Sequence, residues 1–209
     1  MRQFFCLIVL LSALLAPTSH ADRWIVLGDS ISAGYGFDLE QGWVNLFRER
    51  LSENGDHEVI NASISGETTG GALARLPNLL EQQPADWMIV ELGGNDGLRG
   101  YPIGSIRQNL DQIVALAEAN GTQVILVSMQ IPPNYGPRYT RQFRAIYDEL
   151  SKKYELIQVE IFLETVATDP ELMQNDGIHP KAEAQGELLN NIWPAIETAL
   201  LLPEENSAE

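Results

Sequence analysis

Short runs of apolar, β-branched residues recur along this chain at 24–28, 58–61, 87–92, 123–128 and 156–159, each with the length and make-up of a β-strand. Between them the apolar positions fall three and four residues apart. The first such set is Trp43, Leu46, Phe47 and Leu51, and the second spans residues 72–80. Then come Ile106, Leu110, Ile113, Val114 and Ala117; Phe143, Ile146, Tyr147 and Leu150; and Leu188, Leu189 and Ile192. That spacing gathers side chains on one stripe of a helix. Parallel strands need a long crossover, usually a helix, so the alternation predicts an α/β domain with a parallel sheet. The runs at 87–92 and 123–128 are apolar on both faces, as helices on both sides of the sheet require. The expected architecture is a three-layer αβα, flavodoxin-like fold with a five-stranded parallel sheet in the order 2-1-3-4-5.

In such a sheet the loops leaving the carboxyl ends of the strands collect at one edge, where ligands bind. These loops hold the chain's polar and glycine clusters, at residues 28–32, 62–71, 93–97 and 132–139, and a further cluster lies at 175–180. Distant segments are therefore expected to meet at one site.

Composition narrows the function. The chain has 209 residues, 44% hydrophobic and 20% charged, which is the make-up of an ordinary folded domain. Its formal net charge of −16 argues against nucleic acid, whose binding draws on Lys and Arg. Arg2, the apolar run 4–15 and the small residues Ser19 and Ala21 read as a signal peptide, residues 1–21, removed after Ala21. The run is too short for the roughly twenty residues that span a bilayer, so no stable membrane anchor is expected. The only cysteine, Cys6, lies in that segment, which leaves no thiol in the mature chain. One folded domain is expected over 22–202, followed by a flexible acidic tail over 203–209, and the protein is expected to be a monomer in a periplasmic or secreted location.

The chemistry centres on a serine and a histidine. A serine hydroxyl attacks well only when a base takes its proton and a third group orients that base. Of the two histidines after residue 21, His57 stands between Asp56 and Glu58 before a strand, where a solvated loop position is the natural reading. His179 follows Asp176 by three residues, with Gly177 between, so a carboxylate on a tight turn can reach one ring nitrogen. The same residues also read as a turn and helix start, with Pro180 in the first helical turn. Gly28-Asp29-Ser30 likewise reads as a simple helix cap.

Taken together the fragments resemble the GDSL, or SGNH, hydrolases. Gly28-Asp29-Ser30-Ile31-Ser32 is similar to the family's first block, with Ile31 where the family name has leucine. Gly66, the pair Asn95-Asp96 after Gly93-Gly94, and Asp176-Gly177-Ile178-His179-Pro180 are similar to the three later blocks, in order. The fuller wording around them resembles the exported bacterial thioesterase, lysophospholipase and arylesterase branch of that family. The resemblance implies Ser30 as nucleophile, His179 as base and then acid, and Asp176 as its orienting group. It also implies an oxyanion hole from the Ser30 and Gly66 backbone N–H groups and the Asn95 side chain. The implied activity is hydrolysis of aryl and short acyl esters, acyl thioesters and lysophospholipids through an acyl-enzyme, on small-molecule substrates without a cofactor.

Other readings stay open beside it. The same blocks serve an esterase that deacetylates polysaccharide, or a non-catalytic module that binds lipid or glycan. Position 32 is serine, so the Gly-x-Ser-x-Gly elbow of α/β-hydrolases is missing. The glycines at 66–71 and 34–36 complete neither a phosphate loop nor a dinucleotide fingerprint, and no paired-histidine motif calls for a metal. Candidate substrate contacts are Asp29, Asp96, Leu98, Tyr101, Pro133, Asn134 and Tyr135, although Asp29 and Asp96 also suit holding their loops, and the prolines a stiff turn.

Overall fold

The runs that are apolar on both faces lie at the middle of the sheet. In the computed structural model, which describes residues 21–202, five strands all pair in parallel in the order β2-β1-β3-β4-β5. They are β1 (Arg23–Gly28), β2 (Glu58–Asn61), β3 (Trp87–Glu91), β4 (Gln123–Val127) and β5 (Ile157–Val159). Register is set by pairs such as Ile25 with Met88 and Ile89 with Ile125. Trp24, Ile25, Val26 and Leu27 of β1 and Met88, Ile89 and Val90 of β3 are fully buried, since each has a helix layer above and below it. The edge strands β2 and β5 are shorter and carry partly exposed positions.

Seven α-helices complete the described residues: α1 (Trp43–Ser52), α2 (Thr69–Gln82), α3 (Gly94–Leu98), α4 (Ile103–Ala119), α5 (Pro137–Tyr154), α6 (Glu164–Ala167) and α7 (Gln185–Leu201). Helices α1 and α7 pack together on one face of the sheet, and α2, α4 and α5 on the other. The stripes read from the sequence are the faces turned inward: Phe47 and Leu51 on α1, Leu110 and Ile113 on α4, Phe143 and Tyr147 on α5. Polar and cation–π contacts join α1 to α7. The Trp43 backbone N–H donates to the buried Gln185 Oε1 at 3.1 Å, and the Arg50 guanidinium lies 3.8 Å from the Trp193 ring centroid. The three-layer sandwich and its strand order are those expected.

Three local readings need correction. His57 is not a solvated loop residue: its side chain is 5% exposed, and the Asp22 backbone N–H donates to its Nδ1 at 3.1 Å. Pro180 does not open a helix. It forms an isolated antiparallel bridge with Met173, and α7 begins only at Gln185 after a 3-10 turn over Ala182–Ala184. Of residues 93–97, read as a loop, 94–97 lie in α3. Among the described residues no helix is long and apolar enough to cross a membrane. The signal-peptide reading, apart from Ala21, the position of Cys6 and the acidic tail lie outside the described residues.

Candidate active site

The turn after β1 brings Ser30 to the carboxyl edge of the sheet. Gly28 ends the strand where a Cβ would sit 2.7 Å from both Glu91 Oε2 and Ser32 Cβ, so no side chain fits without displacing them. Asp29 then folds back, accepting the Ile31 backbone N–H on Oδ1 at 3.1 Å. The chain turns, with the Ala33 N–H donating to the Asp29 carbonyl and the Tyr35 N–H to the Ser30 carbonyl.

The second half of the site is a loop pinched shut at its base. Met173 bridges Pro180, and the Gln174 N–H donates to the His179 carbonyl at 2.8 Å. Inside the loop, Asp176 Oδ1 accepts the backbone N–H groups of Ile178 and His179 at 2.9 and 3.0 Å. Its Oδ2 lies 2.6 Å from His179 Nδ1, and His179 Nε2 lies 2.8 Å from Ser30 Oγ. The structure thus brings Asp176, His179 and Ser30 into one line of hydrogen bonds. Those bonds hold the Asp176 carboxyl down at about 2, with the His179 ring as the main cause. Ionised, it can only accept, so it fixes the ring proton on Nδ1 and leaves Nε2 to accept from the serine hydroxyl.

Gly66 and Asn95 come from the next two loops. Gly66 has φ +79°, a backbone conformation that glycine adopts without strain, which turns the peptide there. Asn95 lies in α3, entered through Gly93 at φ +109°, where a Cβ would strike the Tyr147 hydroxyl. Arg99 ties the two together, its guanidinium donating to the Gly66 carbonyl at 3.1 Å and reaching Asn95 Oδ1 at 3.4 Å. Asn95 Nδ2 donates to Asp29 Oδ2 at 3.0 Å, which leaves its second N–H available. Among the described residues the Ser30 and Gly66 backbone N–H groups have no acceptor.

Beneath Ser30 lie two buried carboxyls. Burial pushes Asp29 up to about 6, against the pull of the Ile31 N–H and the Asn95 amide. Burial also pushes Glu91 well above the usual carboxyl range, helped by the nearby Asp29 and opposed by the Ser32 hydroxyl, which donates to Glu91 Oε2 at 2.7 Å. Among the described residues Glu91 Oε1 is buried without a hydrogen-bond partner, so an ionised Glu91 would be costly.

The remaining candidates divide. Asp29 and Asp96 are both buried and bonded within the protein. Asp29 is 3% exposed and holds Ile31 and Asn95, while Asp96 is 1% exposed and accepts both the backbone N–H and the hydroxyl of Thr69. Leu98, Tyr101, Pro133, Asn134 and Tyr135 lie on two neighbouring segments and are exposed or half-buried. The segments are stitched by the Tyr135 hydroxyl donating to the Leu98 carbonyl at 2.7 Å and the Tyr139 hydroxyl to the Tyr101 carbonyl at 2.6 Å. An open depression of about 440 Å³ beside Asp176 is lined by Tyr35, Gln174, Asn175 and Lys181. The described residues hold no group of three or more His, Cys, Asp or Glu side chains that could bind a metal.

The GDSL-like lipase/acylhydrolase family matches residues 26–186, which include every residue of this line. The chain belongs to that family. Within it, the chain is 46% identical to an arylesterase of Vibrio mimicus over 85% of this chain and 90% of that protein. It is 43% identical to thioesterase 1/protease 1/lysophospholipase L1 of Escherichia coli K12, over 79% of this chain and 78% of that protein. The crystal structure of TesA superposes with a TM-score of 0.82 at 47% identity, over 86% of this chain and 99% of that one.

Tyr35, Gln174, Glu91 and Arg99 were not singled out from the sequence, and they join the site through their contacts with His179, Tyr35, Ser32 and Gly66. All four stand in the wording around the blocks that carry the resemblance.

Proposed function

We propose that this chain is an exported serine esterase with Ser30 as nucleophile, acting on aryl and short acyl esters, acyl thioesters and lysophospholipids. The observation that carries the reading is the unbroken line from Asp176 through His179 to Ser30, at 2.6 and 2.8 Å. As Ser30 Oγ attacks the acyl carbon, its proton passes to His179 Nε2, and the ionised Asp176 stabilises the imidazolium. The oxyanion receives the Ser30 and Gly66 N–H groups and the free N–H of Asn95 Nδ2, each donor worth roughly 3–4 kcal/mol in the transition state. His179 gives its proton to the leaving alcohol or thiol, which departs and leaves an acyl-Ser30. Water, deprotonated by the same nitrogen, then releases the acid.

Breadth of substrate fits an exposed surface of Leu98, Tyr101 and Tyr135 on a half-open edge rather than a closed pocket. Export with removal of residues 1–21 fits a fold whose first strand begins at Arg23, and a monomer is the simplest state for this site, which one chain completes. The test is hydrolysis of p-nitrophenyl esters, acyl-CoA thioesters and a lysophospholipid, with Ser30→Ala beside it. Turnover of all three classes, lost in the variant, supports the reading. Silence on the panel with activity on acetylated glycan assigns the site to polysaccharide deacetylation instead.

A further inference from the structure

Tyr35 touches the site at a point that neither the nucleophile line nor the oxyanion donors explain. Its ring lies against the His179 imidazole, with centroids 4.4 Å apart and planes inclined by 38°. An exposed loop tyrosine would ordinarily swing freely, and this one is 49% exposed. Its backbone, however, is tied on both sides. The Tyr35 N–H donates to the carbonyl of Ser30 at 3.1 Å, and the Tyr35 carbonyl accepts from Gln174 Nε2 at 2.8 Å. The same Nε2 donates to the Pro180 carbonyl at 3.0 Å, and the Gln174 N–H to that of His179. The next residue, Gly36, has φ +89° and packs so closely on the Gln174 amide that a Cβ would come within 2.5 Å of Oε1. Tyr35 is therefore fastened both to the residue bearing the hydroxyl and to the loop bearing the imidazole.

The physical consequence concerns charge. A cation within about 6 Å of an aromatic centroid is attracted by the ring quadrupole, whereas a neutral imidazole gains much less. The carboxylates that face His179 are Asp176 on its own loop and Asp29 on the nucleophile turn. Asp176 approaches from the Nδ1 side, while Tyr35 meets the ring itself, so the two supports are independent.

We propose that Tyr35 is a positioning residue for His179, stabilising the imidazolium formed when Ser30 gives up its proton and holding the ring in line with Ser30 Oγ. The proton moves from Ser30 Oγ to His179 Nε2 as the Oγ–acyl bond forms, and leaves on the departing group. Tyr35 exchanges no proton itself. The proposal rests on the Ser30 reading above, but its main readout needs no turnover.

The experiment compares Tyr35→Phe and Tyr35→Leu with the parent protein labelled with 15N-histidine, following each imidazole by NMR across pH without substrate and measuring kcat in parallel. His57, before β2 at the other edge of the sheet, serves as the internal control. Tyr35→Leu should move the His179 titration midpoint down by about half a pH unit and lower kcat about three- to fivefold, leaving His57 in place. Tyr35→Phe, which keeps the ring face, should leave both values near those of the parent. An unmoved midpoint in Tyr35→Leu overturns the proposal whatever happens to the rate. A moved midpoint with unchanged kcat overturns it too, as does a Tyr35→Phe shift equal to that of Tyr35→Leu.

Discussion

Asn95 turns its Nδ2 toward Asp29, 3.0 Å from the buried carboxylate oxygen, while its Oδ1 faces Arg99. This pair links two loops that are 66 residues apart in sequence and fixes which end of the amide points into the site. An asparagine free to flip would present its carbonyl to an oxyanion half the time. Asp29, which follows Gly28 and precedes Ser30, is thus spent on the Asn95 amide opposite.

Replacing Asn95 by alanine should lower kcat by about 10²–10³-fold with little change in KM, the loss expected for one oxyanion donor. Steady-state kinetics on a p-nitrophenyl ester measure this, and an equal rise in KM with constant kcat would assign Asn95 to ground-state binding.

Asp29→Asn should be slower yet more stable at alkaline pH. An amide has one acceptor where the carboxylate has two, so the bonds to Ile31 and Asn95 cannot both survive, and kcat should fall roughly tenfold or more. The folded carboxyl titrates near 6 and the unfolded one near its ordinary 3.8. Between those values the folded state holds a proton that the unfolded state has released, so stability falls as pH rises through the window. Thermal melts should therefore favour Asp29→Asn by a few degrees at pH 8, with the gap closing toward pH 4. A gap that widens on acidification contradicts the assignment.

Glu91 makes a companion case. Glu91→Gln keeps an acceptor for the Ser32 hydroxyl and removes a buried ionisable group, so its melting temperature at pH 8 should equal or exceed that of the parent. Glu91→Ala leaves the Ser32 hydroxyl unpaired above a cavity and should lose about 2–4 kcal/mol in urea unfolding.

Gly66→Ala tests backbone rather than side chain. At φ +79° a Cβ has space, its nearest neighbour being Arg99 at 3.7 Å, but an L-residue there is strained by roughly 1–2 kcal/mol. If the peptide relaxes, its N–H swings away, and kcat should drop more than stability does.

The sheet was legible because its physics is one-dimensional. Runs apolar on both faces must be central parallel strands, and stripes such as Trp43, Phe47 and Leu51 must face them, so pattern alone orders the layers. Helix α3 was not legible. Gly94-Asn95-Asp96-Gly97 has poor helix propensity, and its turn forms where Asp96 is captured by Thr69 and packs beside Tyr147. His57 and Pro180 were misread for the same reason: their partners, Asp22 and Met173, are set by the sheet edge and a loop pinch rather than by neighbours in sequence. The four sequence blocks pointed to Ser30, Gly66, Asn95, Asp176 and His179, but not to what holds them. Asp29 and Asp96 could be read as substrate contacts because a sequence does not say which way a carboxylate faces.

The most direct test of the central claim is covalent labelling of the purified protein with an alkyl fluorophosphonate, followed by intact mass and peptide mapping. One adduct per chain is expected, on Ser30, that blocks ester hydrolysis and does not form in Ser30→Ala or, at measurable rate, in His179→Ala. Labelling that leaves Ser30 unmodified while activity is lost, or hydrolysis that persists in Ser30→Ala, would contradict it.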